Sequence, residues 1–152
     1  MRNAFSKDYK FVEGNTLMDT ALATNTDYPA TGSYIDVSGY EWVNIIIRLG
    51  TLADVFTFTV KQTDGVSGAT LDTIDATNCV HAVATDDDDE FVTFYIETST
   101  LAADHHFITT RVTNLASTNY ASINYLLGGT RHQPVTQTTA VLPTASQHIH
   151  AG

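Results

Sequence analysis

Tyr34–Gln62 reads YIDVSGYEWVNIIIRLGTLADVFTFTVKQ, and its rhythm decides the fold class. Ile35 and Val37 alternate with polar neighbours, and Trp42–Leu49 is an almost unbroken apolar run interrupted by Asn44 and Arg48. Val55, Thr57 and Thr59 then alternate with Phe56, Phe58 and Val60. Period-two alternation bounded by Ser38-Gly39 and by Leu49-Gly50-Thr51 is the pattern of antiparallel strands half-buried against a second sheet. No helix-length period interrupts it.

The chain on either side reads the same way. Strands are expected at Ser33–Val37, Glu41–Leu49, Val55–Gln62, Leu71–Ile74, Asn78–Val83, Glu90–Glu97, His106–Asn114 and Tyr120–Leu127. Short strands with turns at this spacing predict an all-β, antiparallel β-sandwich, jelly-roll-like or immunoglobulin-like, over residues 31–129. Residues 1–30 read as an N-terminal arm. Leu17–Leu22 has room for one helical turn, but Asn15, Thr24, Asn25, Thr26 and Pro29 break any longer pattern. Residues 130–152 read as an extended C-terminal arm, because Pro134 and Pro143 with Gln, Thr and Ala between them describe no packed element.

At 152 residues and 43% hydrophobic, the chain has enough apolar mass for one domain with a real core. Charged residues are only 16%, against about 25% in ordinary soluble domains. The polar surface is therefore built from Thr, Ser, Asn and Gln, with Thr57, Thr59, Thr93, Thr109 and Thr110 at strand positions that suit a branched side chain. A net charge of −10 with seven Lys and Arg provides no phosphate-binding surface, so no direct nucleic-acid partner is expected. The longest apolar run is too short to span a bilayer, and no membrane partner is expected. Charges at Arg2, Lys7, Asp8 and Lys10 stand where a signal peptide needs an apolar stretch, so synthesis in a cytoplasm is expected. Cys79 is the single cysteine, which excludes an internal disulfide. With no Lys or Arg beside it to lower its pKa, it reads as a small buried hydrophobe.

Three clusters invite chemistry. Asp86–Asp89 with Glu90 is dense in carboxylates, but it lacks the alternating ligand spacing and internal Gly of a calcium loop. A solvated loop is the ordinary role of such a run, with discouragement of sheet-edge pairing as its cheapest function. His105 and His106, after Asp104, face opposite sides of a strand and cannot share one ion. His148 and His150 have same-face spacing but sit at the chain end, where fraying is the default. No nucleophile elbow, phosphate loop or paired zinc-ligand motif occurs. The chain is expected to be no enzyme and to need no cofactor or metal. Of its strand aromatics, most are expected in the core; Trp42, beside Tyr40 at the start of its strand, is the one expected to face a partner.

Phe11–Gly14 (FVEG), Ser38–Asp54 (SGYEWVNIIIRLGTLAD), Val55–Thr70 (VFTFTVKQTDGVSGAT), His106–Thr113 (HFITTRVT) and Arg131–Val135 (RHQPV) carry a likeness that covers most of the chain. In this layout the chain resembles the small β-rich structural proteins of tailed bacteriophages, of the capsid decoration or cement type. Asp86–Asp89 and the His-bearing tail after Val135 depart from that pattern. The resemblance implies a virion protein on the outer surface of an icosahedral head, bound as a homotrimer at threefold or quasi-threefold positions. Its partners would be the major capsid protein and further copies of itself. Contacts are expected from Phe5, Tyr9, Phe11, Trp42, Arg131, His132, Pro134 and Val135. Two other classes compete: a tail, neck or host-surface component gripping a glycan or receptor, and a hydrolase on a sandwich scaffold.

Overall fold

A computed structural model describes residues 9–15 and 21–130. Its strands are β1 (Lys10–Glu13), β2 (Thr26–Tyr28), β3 (Ile35–Asp36), β4 (Trp42–Leu49) and β5 (Phe56–Thr63), followed by β6 (Asp72–Thr73), β7 (Val80–Val83), β8 (Phe91–Glu97), β9 (Phe107–Thr113) and β10 (Ala121–Gly128). One 3₁₀ turn, Thr98–Thr100, follows β8. The eight strands read from the sequence are all present, with ends shifted by one or two residues.

The strands form two antiparallel sheets. One is four-stranded, in the order β1-β10-β4-β8; the other runs β2-β9-β5-β6, with β3 also on β9 and β7 also on β5. The chain repeatedly crosses between them: β4, β8 and β10 belong to the first sheet, while β5 and β9, which follow β4 and β8, belong to the second. The first strand pairs with the last. This is the jelly-roll order of an all-β sandwich, and it decides between the two arrangements left open above.

Alternation is what lets these sequences pair this way. In β4 the burial pattern puts Val43, Ile45, Ile47 and Leu49 inside, and in β10 Ala121, Ile123, Tyr125 and Leu127 do the same. From the opposite sheet Phe56, Phe58, Val60, Ile108 and Val112 meet them. Each large aliphatic or aromatic side chain so buried contributes about 1.5–3 kcal/mol. The Phe56 and Phe58 rings meet edge to face at 5.1 Å, an arrangement favoured by the ring quadrupole. Tyr125 is fully buried between the sheets, and burial pushes its phenol pKa up. Its hydroxyl therefore stays protonated. It donates to the Tyr28 carbonyl and pairs with Thr110 Oγ1 at 2.7 Å, tying β10 to β2 and β9.

The N-terminal segment corrects the sequence reading. Residues 1–30 were expected to be an arm, yet β1 lies in register on β10 from Lys10↔Leu127 to Glu13↔Asn124. Gly14 and Asn15 continue the ladder. Gly14 N–H donates to Ile123 O at 2.7 Å, and the Asn15 amide both accepts from Ile123 N–H and donates to Ala121 O. A Cβ on Gly14 would lie 2.7 Å from the Tyr125 ring, so only glycine permits this close approach. β2 likewise pairs with β9, from Thr26↔Val112 to Tyr28↔Thr110. Strands of three or four residues are too short to show alternation, and these two obtain their order from their neighbours. The helical turn expected at Leu17–Leu22 is absent from its described part: Ala21 bridges Tyr120, and Leu22 N–H donates to Asn119 O. Residues 16–20 and the C-terminal arm beyond Thr130 lie outside the described residues.

Candidate functional site

The two sheets have opposite outer faces. On the second sheet the outward positions of β5 and β9 are Thr57, Thr59, Lys61, Arg111 and Thr113, a partly exposed surface of threonine with two cations, while Thr109 of the same parity is buried and donates to the Pro29 carbonyl. On the four-stranded sheet the strand register sets the outward residues in rows. Phe11, Leu126, Asn44 and Tyr95 lie side by side. The next row is Glu13, Asn124, Ile46 and Thr93, and the one beyond holds Ser122, Arg48 and Phe91. At the opposite end Trp42 stands between Gly128 and Glu97.

Aromatic rings dominate this face. Trp42 contacts Tyr9 at 5.8 Å between centroids and Tyr95 at 6.0 Å, so three rings run across the sheet. Phe91 is 63% exposed and Tyr95 62%, values at which neither side chain contributes much to the core. The Arg48 guanidinium sits 5.8 Å over the Phe91 ring, shielding part of it with a cation–π contact. Ile46 and Leu126 are half-buried between these groups. Asn44, Arg48, Asn124 and Thr93 stand among these groups, so the face is a mixed one in which exposed aromatic rings alternate with polar side chains, a composition common where one protein meets another.

Gly128 explains how Trp42 lies down. A Cβ there would be 2.1 Å from the indole, so the missing side chain is the space the ring occupies. The described chain also enters and leaves here. Tyr9 precedes β1 at this end of the sheet, and Gly128–Thr130 follows β10 beside Trp42 and Glu41. A shallow cleft next to the ring is lined by Glu41, Trp42, Tyr95, Glu97, Thr98 and Ser99.

Of the residues expected to make contacts, Tyr9, Phe11 and Trp42 thus come together on one face. Phe5, Arg131, His132, Pro134 and Val135 lie outside the described residues. Most of the strand aromatics were expected in the core, and Phe91 and Tyr95 are two that the structure leaves exposed. Both faces of β8 carry aromatic or aliphatic groups, which hides the parity. The available signal was Thr93 and Glu97, which share the parity of Phe91 and Tyr95 and mark that face as the wet one.

The other clusters take structural roles. In the acidic run, Asp87 Oδ2 accepts from Ala84 N–H at 2.8 Å, closing its own turn. Asp88 Oδ1 accepts from Leu52 N–H at 2.7 Å and so fastens the loop before β8 to the loop after β4. His105 lies 3.5 Å from the Asp72 carboxylate and 3.0 Å from the Ala103 carbonyl. Among the described residues no group of three or more His, Cys, Asp or Glu converges as metal ligands would. Cys79 is buried, and burial above all, with the nearby Asp75 carboxylate, raises its thiol pKa. No helix among the described residues is long and apolar enough to cross a membrane.

No protein-family model matches the chain, and no curated protein matches it. A solved structure of Bacillus endospore appendages, a family of disulfide-linked pili, is similar over 80% of this chain and 88% of that one, at 12% identity and a TM-score of 0.42.

Proposed function

We propose that the chain is a structural protein of a large protein assembly, and specifically a decoration protein on the outer surface of a tailed-phage head. The aromatic outer face of the four-stranded sheet carries this reading, because Phe91 and Tyr95 stand exposed to water beside the half-buried Trp42 with no use in a free monomer. The resemblance in Ser38–Thr70 and His106–Thr113 supplies the kind of assembly. The face buries itself against the major capsid protein, and copies join as a homotrimer at threefold or quasi-threefold positions. Both chain segments beyond the described domain start beside that face, at Tyr9 and at Thr130, which suits arms that lengthen each contact. Many modest contacts then add through effective concentration and hold the expanded lattice together. A net charge of −10 suits a basic patch on the shell and keeps the free protein soluble.

Purified protein mixed with capsids stripped of it tests the proposal by sedimentation and image reconstruction. Regular occupancy at threefold or quasi-threefold positions, with a shell that resists heat better, is the expected result. No binding to capsids would overturn it.

The cleft beside Trp42 favours one second reading. An aromatic ring flanked by the Glu41 and Glu97 carboxylates and by the Thr98 and Ser99 hydroxyls is the chemistry that stacks on a sugar and accepts its hydroxyl protons. Binding to host-cell glycans, with none to capsids, would favour a tail, neck or host-surface component.

A further inference from the structure

β8 is an outer strand with an open side. It pairs with β4 along its whole length, and no strand among the described residues lies beyond it. Leu49 N–H donates to Glu90 O and Thr98 N–H to Glu41 O, each at 2.9 Å, which fixes the parity of the ladder. Glu90, Val92, Phe94, Ile96 and Thr98 turn their N–H and C=O groups towards β4, so Phe91, Thr93 and Tyr95 turn theirs to the open side. Glu97 shares that parity, but its carbonyl already accepts from Thr100 Oγ1 at 2.7 Å. At the other end Asp89, at φ +63°, bends the chain out of the strand. The open ladder therefore runs from Phe91 to Tyr95, with Thr93 at its centre.

Natural sheet edges are blunted by lysine, proline or a bulge. Phe91–Tyr95 carries no charge and no proline, and its pairing to β4 advances residue for residue without a bulge. Its side chains on the outer face, Phe91, Thr93 and Tyr95, are all exposed. Towards the second sheet, a cleft of about 570 Å³ opens at this seam, with Ile74 and Cys79 on one side and Tyr95 and Ile96 on the other.

The order of side chains selects the partner. Phe91-Val92-Thr93-Phe94-Tyr95 has the same character read in either direction: aromatic, apolar, threonine, apolar, aromatic. Turned about a twofold axis through Thr93, one copy sets its Phe91 against Tyr95 of the other, Thr93 against Thr93, and Val92 against Phe94. Aromatic–aromatic and threonine–threonine pairs are among the cross-strand combinations that stabilise antiparallel sheets. Phe91, Thr93 and Tyr95 all have the hydrogen-bonding parity, so each opposed pair of them exchanges both N–H···O bonds. Sliding the copies by two residues puts Phe91 opposite Thr93 or Glu97 and loses the aromatic pairs. An edge complementary to itself is what an isologous contact between identical chains requires.

We propose that two copies of this chain join antiparallel through β8, about a twofold axis at Thr93, into one continuous sheet. The pairing does not rest on the shell-binding reading. It uses the edge of the strand, so the exposed rings still point outwards, and it leaves threefold contacts to other surfaces. Glu97 stands opposite Asp89 of the second copy; both are exposed, and salt screens their repulsion.

Sedimentation velocity and amide hydrogen exchange on the full chain, with no capsids present, test this. The particle should contain an even number of copies and tighten as salt rises. At concentrations where it persists, the amides of Phe91, Thr93 and Tyr95 should exchange at least about tenfold more slowly than after dilution to dissociation. Thr93→Pro removes an amide that faces only the open side, which an edge strand tolerates. It should halve the particle mass and expose the Phe91 and Tyr95 amides, while β5 and β9 amides stay unchanged. Thr93→Cys keeps the test open if the proline variant fails to fold. Opposed Cα atoms about 5.5 Å apart are within disulfide reach, so mild oxidation should link two copies through Thr93→Cys and not through Thr57→Cys on the other sheet. Edge amides that exchange freely at every concentration, or protected amides in a particle of one copy, would overturn the proposal. So would a mass that Thr93→Pro leaves unchanged, an association that salt weakens, or no cross-link at Thr93→Cys.

Discussion

Gly128 and Trp42 stand opposite each other in β10 and β4, and a Cβ on Gly128 would lie 2.1 Å from Trp42 Cζ2. The indole rests where a side chain is missing, and from there it reaches Tyr9 and Tyr95. Gly128→Ala must push the ring off the sheet. Trp42 is the sole tryptophan, so the displacement is directly visible. The expected outcome is a red-shifted emission and a loss of about 1–2 kcal/mol in urea unfolding, the usual range for overpacking. Unchanged emission would mean that the ring does not depend on Gly128.

Asp27 and Arg111 join β2 to β9 through two parallel hydrogen bonds, at 2.7 and 2.9 Å, and Tyr34 donates to the same carboxylate at 3.0 Å. Asp27 is buried, while the Arg111 side chain is about one-third exposed. Arg111→Met leaves a carboxylate without its counter-charge and should cost about 3 kcal/mol, the low end for breaking a buried pair. Adding Asp27→Asn to that variant should restore part of the loss. A double variant no more stable than Arg111→Met alone would contradict this account.

Asn119 holds a loop junction from a fully buried position. Its Oδ1 accepts from Ala53 N–H at 2.7 Å and Asp54 N–H at 3.2 Å, and its Nδ2 donates to Ser117 O. Asn119→Ala removes the acceptor of both amides; Ala53 is exposed and Asp54 half-buried, so water replaces part of the loss and each hydrogen bond is worth about 0.5–1.5 kcal/mol net. Faster hydrogen exchange confined to Ala53 and Asp54 is the expected local signature, together with a lower melting temperature.

The central strands were legible because each is long enough to show its period. Trp42–Leu49, Phe56–Thr63 and Phe91–Glu97 hold seven or eight residues, and their alternation survives in the burial pattern. Lys10–Glu13 and Thr26–Tyr28 were not, because three or four residues give no period and their pairing is set by β10 and β9. The candidate face was half legible. Trp42 stood out by its position, and Tyr9 and Phe11 by preceding the first obvious strand. Phe91 and Tyr95 were lost among core aromatics, since a strand apolar on both faces does not reveal which face is wet.

Asp75 organises the turn before β7. Its Oδ1 accepts from the Thr77 and Asn78 amides at 2.7 and 3.3 Å, and Oδ2 accepts from Asn78 Nδ2 at 2.6 Å. The Thr77 amide first, then Asn78, hold its carboxyl below the usual value. A depressed folded-state pKa gives a contribution that is complete above the ordinary carboxylate range and lost as pH falls through the lowered value. Asn78→Ala should therefore move the Asp75 titration midpoint upwards, as followed by carboxyl NMR shifts. A midpoint that stays fixed would remove Asn78 from the explanation.

Phe91 and Tyr95 provide the sharpest separation of binding from folding. Both are exposed, and truncating exposed side chains usually changes stability by no more than about 0.5 kcal/mol. Buried at an interface, each aromatic is worth about 2 kcal/mol or more. The double variant Phe91→Ser with Tyr95→Ser should keep its melting temperature within about 3 °C and lose shell binding by roughly a hundredfold or more. Thr57→Lys with Thr59→Lys, on the outer face of the opposite sheet, should leave binding unchanged. If the threonine-face variant abolished binding and the aromatic-face variant did not, the docking surface would be the second sheet, and the two faces would have to exchange roles.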